Sequence, residues 1–415
     1  MVFLFIRRLC MSLTERFIRY VKIDTQSDAD STSVPSTQKQ FDLLKLLKQE
    51  LIELGIKNIH LDSTGNLYAT VPANSKKPSP AIGLMAHVDT ASEMSGKNVK
   101  PKIVKNYNGE LIILNQTQQI FLDPKVFPTL INHQGKTLIT TDGTTLLGAD
   151  DKAGIAIIMT FVEHLKNHPE IPHGPIQIGF TSDEEIGRGV VHFDPKIFKA
   201  DFAYTLDGGP IEEINYENFN ASSAVVTIQG KAIHPGSAKG QMINSQTLAA
   251  EFHLGLPTHL KPETTDGYQG FIHLTQSSGS VETTELRYII RHHDINELRK
   301  QEAIMLRLAE KMNQILKQAL IRVEIKPSYL NMLPEIKKKP EGLNRALKAY
   351  EILGKKVKPV PIRGGTDGAN LTYKGVPTPN LATGGENYHG KYEFLVVEDA
   401  EFMVKVLVEI VRIQD

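Results

Sequence analysis

The residues in this chain whose types could do chemistry together are two histidines and a set of carboxylates. They fall in five short segments: His87-Val88-Asp89, Asp150-Asp151, Glu184-Glu185, Asp207-Gly208-Gly209, and His389 inside Gly384-Gly385-Glu386-Asn387-Tyr388-His389-Gly390. Read singly, each has an ordinary explanation. His-x-Asp is common on surfaces and in cores. An acidic pair before an apolar helix is a usual N-terminal cap, because carboxylates favour that end of a helix. Glu-Glu reads as a solvated charged turn, Asp-Gly-Gly as a turn, and a histidine beside glycine as a loop residue.

Read together, the ordinary explanations weaken. Carboxylates gathered at one place repel, and burial raises the cost of their charge. A cation relieves both. The chain has one cysteine, Cys10, so transition-metal ligands must come from His, Asp and Glu, and no intramolecular disulfide forms. Two histidines and three carboxylates suit a pair of Zn²⁺ ions. Asp150, Glu185 and Asp207 supply three negative charges against four positive ones, and one shared hydroxide would balance them. Such a hydroxide is the nucleophile of a two-metal hydrolase. Glu184 is then left off the metal, free to act as a general base. His87 and Asp89 point the same way on a strand, and a ligating imidazole usually gives its other N–H to a carboxylate.

These residues need elements to position them. AIGLMA runs into His87, IQIGFT into Glu184-Glu185, FAYTL into Asp207 and TTLLG into Asp150, each read as a strand ending in chemistry. In open α/β sheets, ligands bind beyond the carboxyl ends of the strands. The run 153–165 is apolar on nearly all sides and predicts a buried helix. Residues 39–55 carry leucines at helical spacing and stop at Gly55. Strands alternating with helices predict an α/β domain with a largely parallel sheet. From about 216 to 324 the order becomes β-α-β-β-α-β, that of a ferredoxin-like α+β domain. α/β texture returns at 325–415, so that domain reads as an insertion in a catalytic domain of 11–215 and 325–415.

The chain is 415 residues long, and 47 basic residues balance 47 acidic ones. Zero net charge argues against a nucleic-acid binder. No stretch approaches the roughly 18 apolar residues of a membrane span. Residues 1–10 lack the order of a secretory signal and read as a dispensable extension before a capped helix start. The single cysteine points to a reducing compartment, here the cytoplasm.

The motifs MAHVDT, GADDKAG, TSDEEIG, TLDGG and NYHGKYEF, in this order, resemble those of the co-catalytic zinc exopeptidases that include carboxypeptidase G and aminoacylase. The resemblance runs from about Leu13 to the C-terminus. It implies a zinc-exopeptidase-like catalytic domain with an inserted lid and dimerisation domain. It also implies His87, Asp150, Glu185, Asp207 and His389 as metal ligands, with Asp150 bridging two Zn²⁺. Asp89 becomes the residue that orients His87, Glu184 the general base, and the Asp150–Asp151 peptide is expected to be cis. His234, in IHPGSAKG, matches a lid histidine that donates to the developing oxyanion. Arg291 and Arg363 match substrate-binding arginines, a residue type suited to forked carboxylate recognition. His292 and His293, which follow Arg291, depart from the family pattern. The implied activity is removal of the N-terminal residue from tripeptides by a homodimer. The same metal core would also serve a carboxypeptidase or an N-acyl-amino-acid deacylase. A carrier that had lost its chemistry would not need Glu184 beside Glu185.

Overall fold

The computed structural model describes residues 11–413; the expected extension 1–10 lies outside the described residues. The described chain forms two compact units. One reaches to Tyr216 and includes Pro334–Val360 and the chain from Thr366 onward; the other is Glu217–Leu333 with Pro361–Gly365. The second unit thus extends past the expected 324 and takes in the segment that carries Arg363.

The first unit is built on an eight-stranded mixed sheet. Its strand order is Asn58–Leu61, Leu67–Val71, Ile176–Thr181, Ile82–His87, Phe202–Gly208, Asn380–Ala382, Glu213–Asn215, Lys358–Pro359. The central four strands are mutually parallel. The Ile82–His87 and Ile176–Thr181 strands are buried at every position, which explains their continuous apolar runs. Parallel pairing aligns strand ends. His87 stands opposite Thr181, so the segments after both strands emerge at one edge.

The Ala149–Asn167 helix packs against the Ile82–His87 and Phe202–Gly208 strands, burying Ile155, Ile157 and Phe161 in the core. Gly154 permits this approach: a Cβ there would collide with the Leu206 carbonyl and the Asp151 carboxylate. The Leu13–Val21 helix has a reciprocal capping box between Ser12 and Glu15. The Gln40–Glu53 helix stops where Gly55 takes φ +88°.

A smaller sheet has the order Gly385–Glu386, Phe394–Val396, Leu138–Thr140, Lys102–Val104. Its first two strands pair antiparallel. His389 therefore sits in the turn of a β-hairpin.

The second unit contains the strands Asn220–Gln229, Phe271–Gly279, Thr283–His292 and Ile321–Tyr329, with helices Ser245–Leu254 and Ile295–Leu316. The sheet is antiparallel, with the second and third of these strands followed by the first and fourth. That is the ferredoxin-like arrangement. Its own core gathers Val226, Ile228, Phe252, Leu286, Tyr288 and Met305. No helix among the described residues is long and apolar enough to cross a membrane.

Candidate metal centre

All five expected ligands come together in the first unit. His87 ends its strand with its ring 2% exposed. Its Nε2 lies 2.9 Å from Oδ1 of Asp150 and 3.5 Å from Oδ1 of Asp207. His389, which takes φ +62° in the hairpin turn, puts Nε2 3.2 Å from Oδ2 of Asp150 and 3.0 Å from Oε2 of Glu185. The two oxygens of Asp150 thus face one histidine each. Asp207 stands on the His87 side and Glu185 on the His389 side.

Among the described residues, two sets of side chains bring ligand atoms within 4.8 Å of one another: His87, Asp150 and Glu185, and His87, Asp151 and Asp207. Asp151 enters the second set although the sequence reading left it off the metal. Its carboxylate accepts the N–H of Gly154 at 3.1 Å and that of His87 at 3.3 Å. The peptide joining Asp150 to Asp151 is cis.

The residues fit divalent metal ions. Imidazole nitrogens and carboxylate oxygens are the donors that zinc accepts. Oε1 of Glu185 is buried and has no hydrogen-bond partner among the described residues, an acceptor facing a place where a cation would satisfy it. The electrostatics of the protein alone point the same way. Burial pushes the Glu185 carboxyl up to about 8, helped by the charge of Asp150 and opposed by His389 and His87. Burial and the charge of Asp150 raise Asp207 to about 6. Burial would depress His87, but hydrogen bonds with Asp150, Asp207 and Asp89 carry it well above the usual imidazole range. Hydrogen bonds with Asp150 and Glu185 raise His389 to about 11. In the metal-free chain the cluster holds protons where it would otherwise hold cations.

Glu184 belongs to neither ligand set. Its Oε1 accepts the backbone N–H of Asp367 at 3.3 Å. Burial, then the charges of Asp207, Asp367 and Glu185 acting against His87, push its carboxyl well above the ordinary range.

Four further residues build the site without having stood out in the sequence. Asp183, at φ +63°, accepts the Ser36 N–H at 2.6 Å and the Gln40 side-chain amide at 2.7 Å. This fixes the turn that aims Glu184 and Glu185. Asp367 is buried and accepts the Thr181 hydroxyl at 2.8 Å, at the end of the strand that leads to that turn. Lys152 is buried and donates to the Ile23 carbonyl at 2.8 Å, anchoring the first turn after Asp151. Glu393 is 1% exposed and accepts the backbone N–H groups of Leu147 and Gly148 at 2.7 Å and of Asp150 at 3.1 Å. One sequence signal could have found Glu393: a carboxylate between Tyr392 and the fully apolar Phe394–Val396 strand has no place there without donors to meet it.

One positioning expectation is corrected. Asp150 does not follow a strand. Residues 141–147 are irregular, with Gly143 at φ +77°, and Gly148 enters the helix at φ +82°. Glu393 collects the backbone donors that a strand pairing would have satisfied.

Of the remaining expected residues, Asp89 lies in the first unit, and His234, Arg291 and Arg363 belong to the second. His234 is exposed at the start of the Pro235–Ser237 turn, and its Nδ1 accepts the Gly236 N–H at 3.2 Å. That contact assigns the ring proton to Nε2, the tautomer able to donate outward. Arg291 lies with its guanidinium 4.9 Å from the Tyr329 ring centre. Arg363 donates to the carbonyls of Gly267 at 2.6 Å, Gln269 at 2.8 Å and Thr265 at 3.3 Å, and to the Thr265 hydroxyl at 3.1 Å. Its guanidinium also stacks near Phe219.

The parallel sheet edge and its His-carboxylate cluster define a candidate metallohydrolase site. Residues 141–413 match the family described as peptidase family M20/M25/M40, and the chain belongs to that family. It is 51% identical over 401 residues to a protein of Geobacillus thermodenitrificans named Peptidase T, covering 97% of this chain and 98% of the relative. It is 52% identical over 402 residues to a Peptidase T of Desulfitobacterium hafniense, with the same coverage of both chains. Among solved structures it is similar to the aminopeptidase PepT of Bacillus cereus, with TM-score 0.74 at 24% identity over 96% of this chain and 97% of that one. A tripeptidase of Staphylococcus aureus gives TM-score 0.76 at 22% identity, with the same coverage. At these identities the structures speak for the fold.

Proposed function

We propose that this protein is a dizinc aminopeptidase that removes the N-terminal residue from tripeptides. The observation that carries the reading is Asp150, whose two carboxylate oxygens each face a different histidine. Such a residue suits a ligand shared by two ions. His87 and Asp207 would complete one position, and His389 and Glu185 the other. The names of similar proteins, an aminopeptidase of Bacillus cereus and a tripeptidase of Staphylococcus aureus, support the substrate class.

Two divalent ions held by His87, Asp150, Asp207, Glu185 and His389 would supply Lewis-acid polarisation of the scissile carbonyl and would acidify a water. The protein's own groups do the rest. Glu184 takes the proton of the attacking water and returns it to the leaving amine, a role suited to a carboxyl that burial holds above its ordinary range. Asp89 holds His87 and the Glu184-Glu185 turn in register. We assign His234 Nε2–H to the developing oxyanion, and Arg291 and Arg363 to the substrate carboxylate. Arg363 already meets four oxygens of the 265–269 segment, so a carboxylate at this guanidinium would exchange with those carbonyls. We further infer a cytoplasmic enzyme and a homodimer formed through the second unit.

The test is a matched set of substrates: dipeptide, tripeptide, tetrapeptide, tripeptide amide and N-acetyl tripeptide. The tripeptide should be cleaved fastest, with acetylation and amidation each lowering kcat/KM sharply. Dialysis against a chelator should abolish activity and Zn²⁺ restore it. Preferential cleavage of the acetylated substrate would move the protein to the deacylase reading. Sedimentation at assay concentration checks the dimer.

A further inference from the structure

An enzyme that cleaves after the first residue must read a free amine, and none of the residues assigned above does so. This inference rests on the aminopeptidase reading. The amine of the first residue lies only about 2.5 Å from its own carbonyl carbon, by ordinary backbone geometry. Whatever anion reads it must therefore stand beside the ligand cluster itself. Most carboxylates there are already committed. Asp150, Asp207 and Glu185 lie within 3.5 Å of the Nε2 atoms of His87 and His389 and are the candidate metal ligands. Asp89 accepts two backbone N–H groups, Asp151 two, and Glu393 three. Asp367 accepts the Thr181 hydroxyl.

Glu93 differs. Its side chain is 62% exposed, and Oε1 stands 3.5 Å from Nδ1 of His389, within ion-pair distance but beyond a direct hydrogen bond. The backbone beneath it is fixed. The Gln26 side-chain amide donates to the carbonyls of Ala91 and Met94, each at 3.0 Å, bracketing Glu93. Leu146 N–H donates to the Ser95 carbonyl at 3.2 Å. The result is a carboxylate with no hydrogen-bond partner among the described residues, on a pinned loop, beside the ring of a metal-ligand candidate. We propose that Glu93 is the acceptor for the substrate's α-ammonium group and sets the preference for peptides with a free N-terminus.

The experiment compares wild-type holoenzyme with Glu93→Gln and Glu93→Lys on two substrates, trialanine and its des-amino analogue propionyl-alanyl-alanine. Metal content is measured on the same samples. In the wild type, trialanine should be preferred. Glu93→Gln should lower kcat/KM for trialanine by about 10- to 100-fold, the usual worth of a hydrogen bond to a charged group, mainly through KM. It should leave the analogue's slow cleavage and the metal content unchanged. Glu93→Lys should deepen the loss for trialanine alone. Because Glu93 is exposed, both variants should fold. An equal loss on both substrates with a fall in metal content would overturn the proposal and make Glu93 a support for His389. Unchanged trialanine kinetics would also overturn it. If the wild type itself ignores the amine, the aminopeptidase reading fails instead, whatever Glu93 does.

Discussion

Asp89 accepts the backbone N–H of Glu184 at 3.0 Å, and its other oxygen accepts that of Glu185 at 3.2 Å. The oxygen that meets Glu184 stands 3.4 Å from Nδ1 of His87, and the backbone carbonyl of Asp89 stands 3.1 Å from the same nitrogen. One fully buried carboxylate therefore ties a ligand strand to the turn carrying the candidate base and a second ligand.

This dual role sets the first prediction. Asp89→Asn keeps the shape but replaces one acceptor by an NH₂ group facing a backbone N–H. Metal affinity should fall by roughly 10- to 100-fold, the usual cost of losing a group behind a ligand. kcat should fall as well at saturating metal, because the Glu184 turn loses its tether. Metal titration followed by kinetics at full loading separates the two effects. A variant that regains wild-type kcat once loaded would limit Asp89 to holding His87.

The adjacent glutamates should behave differently. Glu185 has one oxygen on His389 and the other orphaned, whereas Glu184 meets the Asp367 N–H. Glu184→Gln should cut kcat by about two orders of magnitude or more while metal content stays near wild type. Glu185→Gln should lose metal. Elemental analysis of both variants checks the assignment, and reversed metal contents would exchange the two roles.

The sequence made some of this legible and hid the rest for physical reasons. Strand ends running into His87, Glu184 and Asp207 were visible because apolar runs and their polar ends are local features. The order β-α-β-β-α-β was visible because each element shows its own period. Asp150 was mistaken for a strand end because the irregular 141–147 segment is held by Glu393, some 245 positions away. Asp183 carries no local signal of its role, because its partners Ser36 and Gln40 lie in another part of the chain. Glu93 carries no signal in the sequence, because only the fold places His389 beside it.

The protonation of the cluster gives a third prediction. Glu185 is raised to about 8 from an ordinary 4.5, so the folded metal-free chain holds a proton there that the unfolded chain has released. His389, raised to about 11 from 6.5, likewise holds its proton longer when folded. For both groups the folded state binds more protons between about pH 5 and 8, so stability falls as pH rises. Glu185 is faced by Asp150, His87 and His389, and His389 also by Glu93. Metal replaces those protons. The melting temperature of chelated protein should therefore fall from pH 5.5 to 8, and the gain on adding Zn²⁺ should widen over the same range. Proton release on metal binding should be measurable by calorimetry in buffers of different ionisation enthalpy. A gain that does not change with pH would refute the proton-for-metal exchange.

Glu393 gives the last prediction. Oε2 takes the N–H groups of Leu147 and Gly148, and Oε1 takes that of Asp150. Burial pushes this carboxyl up to about 7, and the three backbone donors pull against that rise. Glu393→Gln has one acceptor oxygen left. Turned toward Leu147 and Gly148, it keeps two bonds and sets its NH₂ against the N–H of Asp150. A buried donor facing a donor costs about 1–3 kcal/mol. The melting temperature of the metal-free protein should drop by several degrees, at about 2–4 °C per kcal/mol for a unit of this size. The larger effect should fall on metal binding, because the displaced residue is the one whose two oxygens face both histidines. The stabilisation gained on adding Zn²⁺ should shrink, and kcat should fall with it. Glu393→Ala should destabilise the metal-free protein at least as much, since all three N–H groups then lose their partner. Thermal melts of both variants with and without Zn²⁺ decide the matter. A full wild-type gain on metal addition in Glu393→Gln would confine this residue to holding the 141–148 segment and leave the placement of Asp150 to its own helix.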